Sequence, residues 1–519
     1  MQWRCAAICA AFVCLTLTRP ATAQDVTLTS RDGRTEISGS LLSFDGEFYR
    51  LDTRYGILTV DGSGVRCDGP GCPNLEDFVA RIAVSGSAAM GNVLVPALLE
   101  SFSQREGMTA TRVSRDTTHF DYIITSNTTN RREGVFSFRI TTTDEGFADL
   151  LADEADIAMA LREVMPSEQE RAIDAGIGDL TAQNRSQVLA LDAIVPIVSP
   201  QNPVREISPL EMARVYAGEI TNWAALGGPD APIALHAPDA ANGLGQAIGT
   251  GILAPVGLDA SRRIVRHQTS QNLARAVLSD PFAFGVTSYA DLGGTQPLVL
   301  KGTCGRVLRA SRLAVKTEDY PLTAPMFLYT PGRRLPKIAR NFLSYMRSTE
   351  AQVVVRRAGF VDQVLEEIAI NAQGDRFANA IAAAGKDVPL EELQRMIELL
   401  KPMKRLTISF RFETGSARLD AQSRSNVVQL ARALEQGRFD ARTLQFVGFS
   451  DGDGPAEGNR AIARERANAV LQAVSQSATT LRDGQVNLTV DAFGEAMPLA
   501  CDDSAWGRRA NRRVEVWVR

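Results

Sequence analysis

The sequence predicts an α/β multidomain chain, and three observations predict it. A short stretch near the start alternates apolar and polar residues and is broken by Asp-Gly pairs, which reads as antiparallel strands. A long middle portion alternates strand-like runs with helical ones, the pattern of sheets covered by helices. From Leu406 onward the runs follow the order β-α-β-α-β.

Ahead of the first strands, "MQWR" is a basic start, "CAAICAAFVCLTL" is an apolar run, and "ATA" before Gln24 is a small-x-small cleavage site. Residues 1–23 are therefore expected to be a secretory signal peptide, since the run falls short of the roughly 20 residues that span a bilayer. Cys14 lies between Val13 and Leu15, without the small residues that precede a lipidated cysteine. The mature chain is thus expected to begin near Gln24 as an exported protein without a lipid. The 519-residue sequence as a whole has 56 basic and 60 acidic residues, a net charge of −4 and no footprint for nucleic acid.

Residues 24–75 carry the turn signals "RDG", "FDG" and "VDG" between runs such as "YRLDT" and "GILTV", giving a small β module. Cys5, Cys9 and Cys14 leave with the signal peptide, so Cys67, Cys72, Cys304 and Cys501 remain in an oxidising compartment. "CDGPGC" makes a tight turn, and a local disulfide between Cys67 and Cys72 is expected. Cys304 with Cys501 would join distant domains. A zinc site would need convergence from three segments and is not expected.

Residues 78–363 supply the alternating α/β portion: "ARIAVSG" precedes "AAMGNVLVPALLESFSQREG", and "LALDAIVPIVSP" precedes "SPLEMARVYAG". Residues 364–404, with "PLEELQRMIELLKPMK", read as a helical linker, and 405–519 as a last domain. An enzyme would need a nucleophile, an acid–base group or a metal. His119, His236 and His267 lie in unrelated contexts without metal-ligand spacing. Neither a Gly-x-Ser-x-Gly elbow nor a P-loop is present. Paired acids in "DEADIA" read as solvated. The expectation is a non-enzyme without cofactor.

Three ordered stretches carry a resemblance in the last domain: "FRFETGSARLDAQSRSNVVQLARAL", "GFSDGDGPAEGNRAIARERANAV" and "FGEAMP…RRANRRVEVWV". Residues 405–519 resemble the OmpA C-terminal, peptidoglycan-binding domain. The resemblance implies that Asp451 takes the amine and Arg466 the carboxylate of diaminopimelate in the stem peptide, a carboxylate and a planar fork suited to a zwitterion. Asn459 would organise the loop and touch the ligand, and Ser450 would keep a hydroxyl where the family has a threonine. One of Arg512 and Arg513 would pack near this site and the other would face solvent.

A second resemblance rests on "YAGEITNW" with "GGPD", then "DPFAFGVTSYADL", "DYPLTAPMFLYT" and "FLSYMRSTEAQVVVRRAGFV". This portion is similar to periplasmic phosphate-binding proteins of ABC transporters, which implies two lobes and a cleft. The anion would sit against Ser85, Gly86 and Ser87, then Thr142, Thr143 and Asp144, then His236, Asp239, Asn242 and Gly243. Helix starts carry partial positive charge suited to an oxyanion, although Ser and Thr there also cap helices. The family's arginine is replaced by His236, its Ser-Gly-Thr by Asn242-Gly243-Leu244, and a serine-rich stretch by Ala160-Leu161-Arg162, so weak phosphate binding is expected. Together the resemblances imply a periplasmic solute-binding protein, for phosphate or another small anion, held at the wall or outer membrane. A transporter or sensor would be its partner. The alternative is a structural envelope adaptor whose cleft domain docks a protein. The two domains are expected to have separate cores.

Overall fold

The computed structural model describes residues 25–519 apart from 76, 77, 241, 386, 414, 415 and 417; the expected signal peptide lies outside the described residues. It divides into two units, up to Ala80 and from Arg81. In the first, strands Gly56–Asp61, Phe48–Thr53, Glu36–Phe44, Asp25–Ser30 and Val65–Asp68 lie in that order in one antiparallel sheet. Alternation buries Tyr49 and Leu51 against Val26 and Leu28. The Asp45 carboxylate sets one turn by accepting the amide hydrogens of Glu47 and Phe48 at 2.8 and 2.6 Å. The expected Cys67–Cys72 disulfide is present.

In the second unit two long strands, Ser186–Val198 and Thr323–Tyr329, run antiparallel through the centre of an 11-stranded sheet. Ser186–Val198 is buried along almost its whole length, and Asp192, the acid that interrupts its apolar run, accepts from the Ser288 hydroxyl at 2.6 Å. On one side stand Ile157–Ala160, Ala80–Ser87 and the Arg132–Thr141 hairpin; on the other, Ala283–Ser288 and Ala234–Pro238. These are the two lobes, joined by crossing strands. Helix boundaries follow local chemistry. Pro209–Ala217 begins at Ser208, whose hydroxyl accepts from Glu211 N at 3.0 Å while the Glu211 side chain accepts from Ser208 N. Gly218, left-handed, ends it.

The last domain places strands Glu367–Ile368, Lys404–Phe410, Arg513–Val518, Thr443–Phe449 and Asn487–Gly494 in one sheet. Helices Ala421–Glu435 and Ala456–Ser477 pack on it. Gly448 permits the closest approach, because a Cβ there would come within 2.0 Å of the Ala463 carbonyl oxygen. Residues 364–404 form helices Gly374–Ala383 and Leu390–Leu400, whose Leu393, Met396 and Leu400 share a core with Phe449, Phe493 and Trp517.

The expectation of separate cores is corrected. Trp506 and Ala421 from the last domain belong to the core of the two-lobed domain, and Trp506 donates its indole N–H to Gly251 O at 2.6 Å. Cys304 and Cys501 form a disulfide across the same boundary. Arg405, 1% exposed, makes a bidentate pair with Asp319 at 2.6 and 2.8 Å. "DEADIA" is not simply solvated either: Asp156 accepts from Ala83 N at 2.8 Å and pairs with Arg333 at 2.7 Å. Replacing Cys304 and Cys501 together by serine is expected to cost about 2–4 kcal/mol in stability, the usual worth of a disulfide closing a long loop. Urea denaturation of the oxidised proteins measures it.

Candidate functional site

The loop after strand Thr443–Phe449 and the helix Ala456–Ser477 build the first site. Asp451, 8% exposed, accepts from Arg512 Nη1 at 2.6 Å. Arg466 lies two and a half turns into the helix, half-buried, its guanidinium 5.4 Å from the Phe412 ring centroid. It makes no hydrogen bond or ion pair with a described residue. Burial and then the nearby Arg512 hold its pKa below the usual arginine value, and Asp451 only partly offsets them. Asp451 and Arg512, the latter one of the two arginines left open by the sequence, both lie near enough to Arg466 to act on its charge. The other arginine does not face solvent: Arg513 is 0% exposed and donates to Glu515 at 2.7 Å and to Met497 O at 2.9 Å.

The rest of the loop is held from two sides. Ser450 is buried, its amide donating to Gly494 O at 2.9 Å, and its hydroxyl has no partner. Asn459 lies 3.4 Å from both Gly454 O and Glu495 Oε2. Asp502 accepts from Gly452 N at 2.8 Å and from Asn511 Nδ2 at 2.8 Å. Burial, then the charge of Asp387, pushes the Glu495 carboxyl up, and its Oε1 is buried without a donor. Glu495 and Asp502 were missed as site residues, although "FGEAMP" contains the first; nothing in their spacing places them beside residue 451.

In the cleft most predicted groups already have partners. Ser85 donates its hydroxyl to Asp149 Oδ2 at 2.5 Å, and Asp149 also takes Arg139. Gly86 has φ +124° and lies so close to Met159 that a Cβ would come within 2.3 Å of its carbonyl oxygen, so glycine is required there. Ser87 is buried at the strand end. Thr142 caps the helix Thr143–Leu151 by accepting from Glu145 N, and Thr143 Oγ1 accepts from Leu161 N at 3.1 Å. Asn242 caps Gly243–Ala247 by accepting from Gly245 N at 2.7 Å.

Two contacts bind the lobes together. Asp144 Oδ2 accepts from Gln246 Nε2 at 2.7 Å, and Gly243 abuts Leu161, where a Cβ would come within 2.5 Å of Cδ1. Asp144 Oδ1 also takes Arg162 Nη2 at 2.5 Å, and Arg162 pairs with Glu168 at 2.7 and 2.9 Å. Burial weighs against the Arg162 charge, but Glu168 and Asp144 outweigh it and raise its pKa. The sequence reading counted Arg162 only as part of a lost serine stretch; it is a cation in the cleft. Two of the three histidines are not in unrelated contexts, since His236 Nδ1 and His267 Nε2 share a hydrogen bond of 2.9 Å, while His119 lies beside Asp116. Burial lowers both pKa values, and at His236 the neighbouring His267 adds to the effect.

Residues 74–350, more than half of the chain, match the family described as "PBP superfamily domain", and residues 411–512 match the "OmpA family". Phosphate-binding protein PstS of Bacillus subtilis is 25% identical over 217 residues, 40% of this chain and 69% of that protein. An ABC-type phosphate transport receptor structure from Vibrio cholerae aligns with TM-score 0.42 and 19% identity over 54% of this chain and 99% of the other. The peptidoglycan-associated lipoprotein from Burkholderia pseudomallei aligns at TM-score 0.19 and 25% identity over 21% of this chain and 89% of that one. These are families of binding domains, and the chain is a binding protein and not an enzyme. It belongs to the PBP superfamily and carries a second domain of the OmpA family.

Proposed function

We propose that this protein is exported to the cell envelope, grips peptidoglycan through Asp451 and Arg466, and offers its cleft to a small anionic solute. The observation that carries the first part is Arg466, a half-buried guanidinium without an ion-pair partner beside the Asp451–Arg512 pair. A carboxylate is the natural complement of that fork. The ligand's ammonium would share Asp451 with Arg512, and the buried, unpartnered Ser450 hydroxyl would take a further ligand atom. Asn459 would hold the loop in register. No helix among the described residues is long and apolar enough to cross a membrane. Co-sedimentation with isolated peptidoglycan sacculi tests the assignment.

The cleft ligand, phosphate or another small oxyanion, would displace Asp144 from Arg162 and take the Thr143 and Ser87 region. Asp144 competes with such an anion for its cation. Asp144→Asn is therefore expected to strengthen phosphate binding at least tenfold, about 1.4 kcal/mol, and Arg162→Met to abolish it; calorimetry reads both. The adaptor reading is favoured by a different observation, the Asp144–Gln246 and Leu161–Gly243 contacts that join the lobes. If neither wild type nor Asp144→Asn takes up phosphate in the cleft, and mass spectrometry of the purified protein finds no ligand, the adaptor reading, in which the cleft domain docks a protein partner, replaces the solute-binding one.

A further inference from the structure

The two-lobed domain and the OmpA-family domain enclose a cavity of about 710 Å³ that shares no lining residue with the cleft or the Asp451 site. A second cavity of about 400 Å³ abuts it, and Arg347 and Arg432 line both. Arg347 follows helix Lys337–Tyr345 of the two-lobed domain, and Arg432 stands on helix Ala421–Glu435 of the other. Among the described residues lining either cavity there is no aspartate or glutamate. The larger volume falls within the range of small-molecule sites, roughly 300–1,000 Å³.

Neither Arg347 nor Arg432 makes a side-chain hydrogen bond or ion pair with a described residue. Burial, then the neighbouring charge of Arg432, lowers the Arg347 pKa to about 10, and burial lowers that of Arg432. The acid closest in sequence, Glu435, lies outside both linings and accepts from Thr480 N at 2.9 Å, and its charge offsets only part of the effect of burial on Arg432. Two further donors line the larger cavity, Arg424 Nε and Gln363 Nε2, both buried without acceptors. Unpaired buried charge is costly. A chain that places two such guanidiniums side by side, with hydrogen-bond donors around them, has built half of an ion pair.

We propose that this interdomain cavity binds a small multivalent oxyanion, with Arg347 and Arg432 as its principal ligands and Arg424 and Gln363 as added donors. Each planar guanidinium presents a fork to two oxygens, so a ligand with at least two negative charges satisfies both. Phosphoryl and carboxylate compounds share that chemistry. One arginine comes from each domain, and the bound anion bridges them.

Calorimetry and thermal melting of the whole chain with inorganic pyrophosphate and with citrate test the proposal, the first probing a phosphoryl source and the second a carboxylate one. Saturable binding of at least one anion at one site is expected, with a matching rise in melting temperature. Arg347→Met and Arg432→Met should each weaken it at least tenfold. Without ligand both variants should melt no lower than wild type, because each loses a half-buried charge that has no ion-pair partner among the described residues. The proposal is overturned if neither anion binds saturably, or if binding survives both methionine substitutions. It is equally overturned if both variants melt well below wild type without ligand while wild type shows no ligand-induced rise, since the arginines would then serve packing alone.

Discussion

Asp451→Ala and Arg466→Ala are each expected to lose co-sedimentation with peptidoglycan, at a cost of about 2–5 kcal/mol, the scale for truncating one partner of a buried, hydrogen-bonded charge pair. The two losses arise differently. Without Asp451, Arg512 loses its 2.6 Å partner, and two cations face a ligand ammonium that repels both. Without Arg466, the ligand carboxylate enters a half-buried site and finds only Arg512, already committed. Arg466→Lys should also fail substantially, because an ammonium reproduces neither the fork nor its stacking on Phe412. Circular dichroism must show all three variants folded. Alanine variants that sediment like wild type while folded would remove the clamp assignment.

Glu515→Ala is expected to destabilise the fold by about 3–5 kcal/mol, the penalty for leaving a buried charge without its partner. Glu515 is 0% exposed. It accepts from Arg513 at 2.7 Å and from the Trp517 indole at 3.1 Å, and it pairs with Arg376 and, at 3.4 Å, with Arg405. Burial opposes its charge, but Arg376, Arg405 and Arg513 outweigh that and hold the carboxyl well below the usual range. A carboxylate with a depressed folded pKa adds stability that is present above its unfolded value, about 4.3, and is lost as pH falls through the folded one. Wild-type stability should therefore decline steadily below about pH 4, and Glu515→Gln should flatten that slope while lowering the plateau. Urea titrations at several pH values measure both. An unchanged slope in the glutamine variant would show that other carboxylates carry the acid sensitivity.

Much of the architecture was readable because its determinants are local. Alternation in "YRLDT" buries Tyr49 and Leu51, and Ser208, Pro209 and Glu211 spell a helix start in consecutive positions. Asp451 and Arg466 were singled out by the resemblance of their surrounding motifs, and they lie fifteen residues apart across one loop and one helix. What escaped depends on distance along the chain. Arg513 is turned inward beside Glu515, two residues on in the same strand, where it also reaches the carbonyl of Met497, sixteen residues back. The His236–His267 bond comes from parallel pairing of two strands. Arg162 was counted as a loss because comparison by position sees a missing serine and not the acid, Asp144, that waits for the new cation. Trp506 and Gly251 meet 255 residues apart, and no periodicity encodes such a contact.

The shared core and the Cys304–Cys501 bridge have a mechanical consequence. A receptor on a flexible tether sweeps a volume set by the tether's length, and its mouth points everywhere in turn. Here the part proposed to hold the wall and the part that carries the cleft move as one piece. If Asp451 and Arg466 grip the wall as proposed, the cleft would keep a fixed heading toward the glycan mesh and a fixed standoff from it. Any component that collects from this protein must come to it at that heading, and force applied along the wall reaches the lobes undamped.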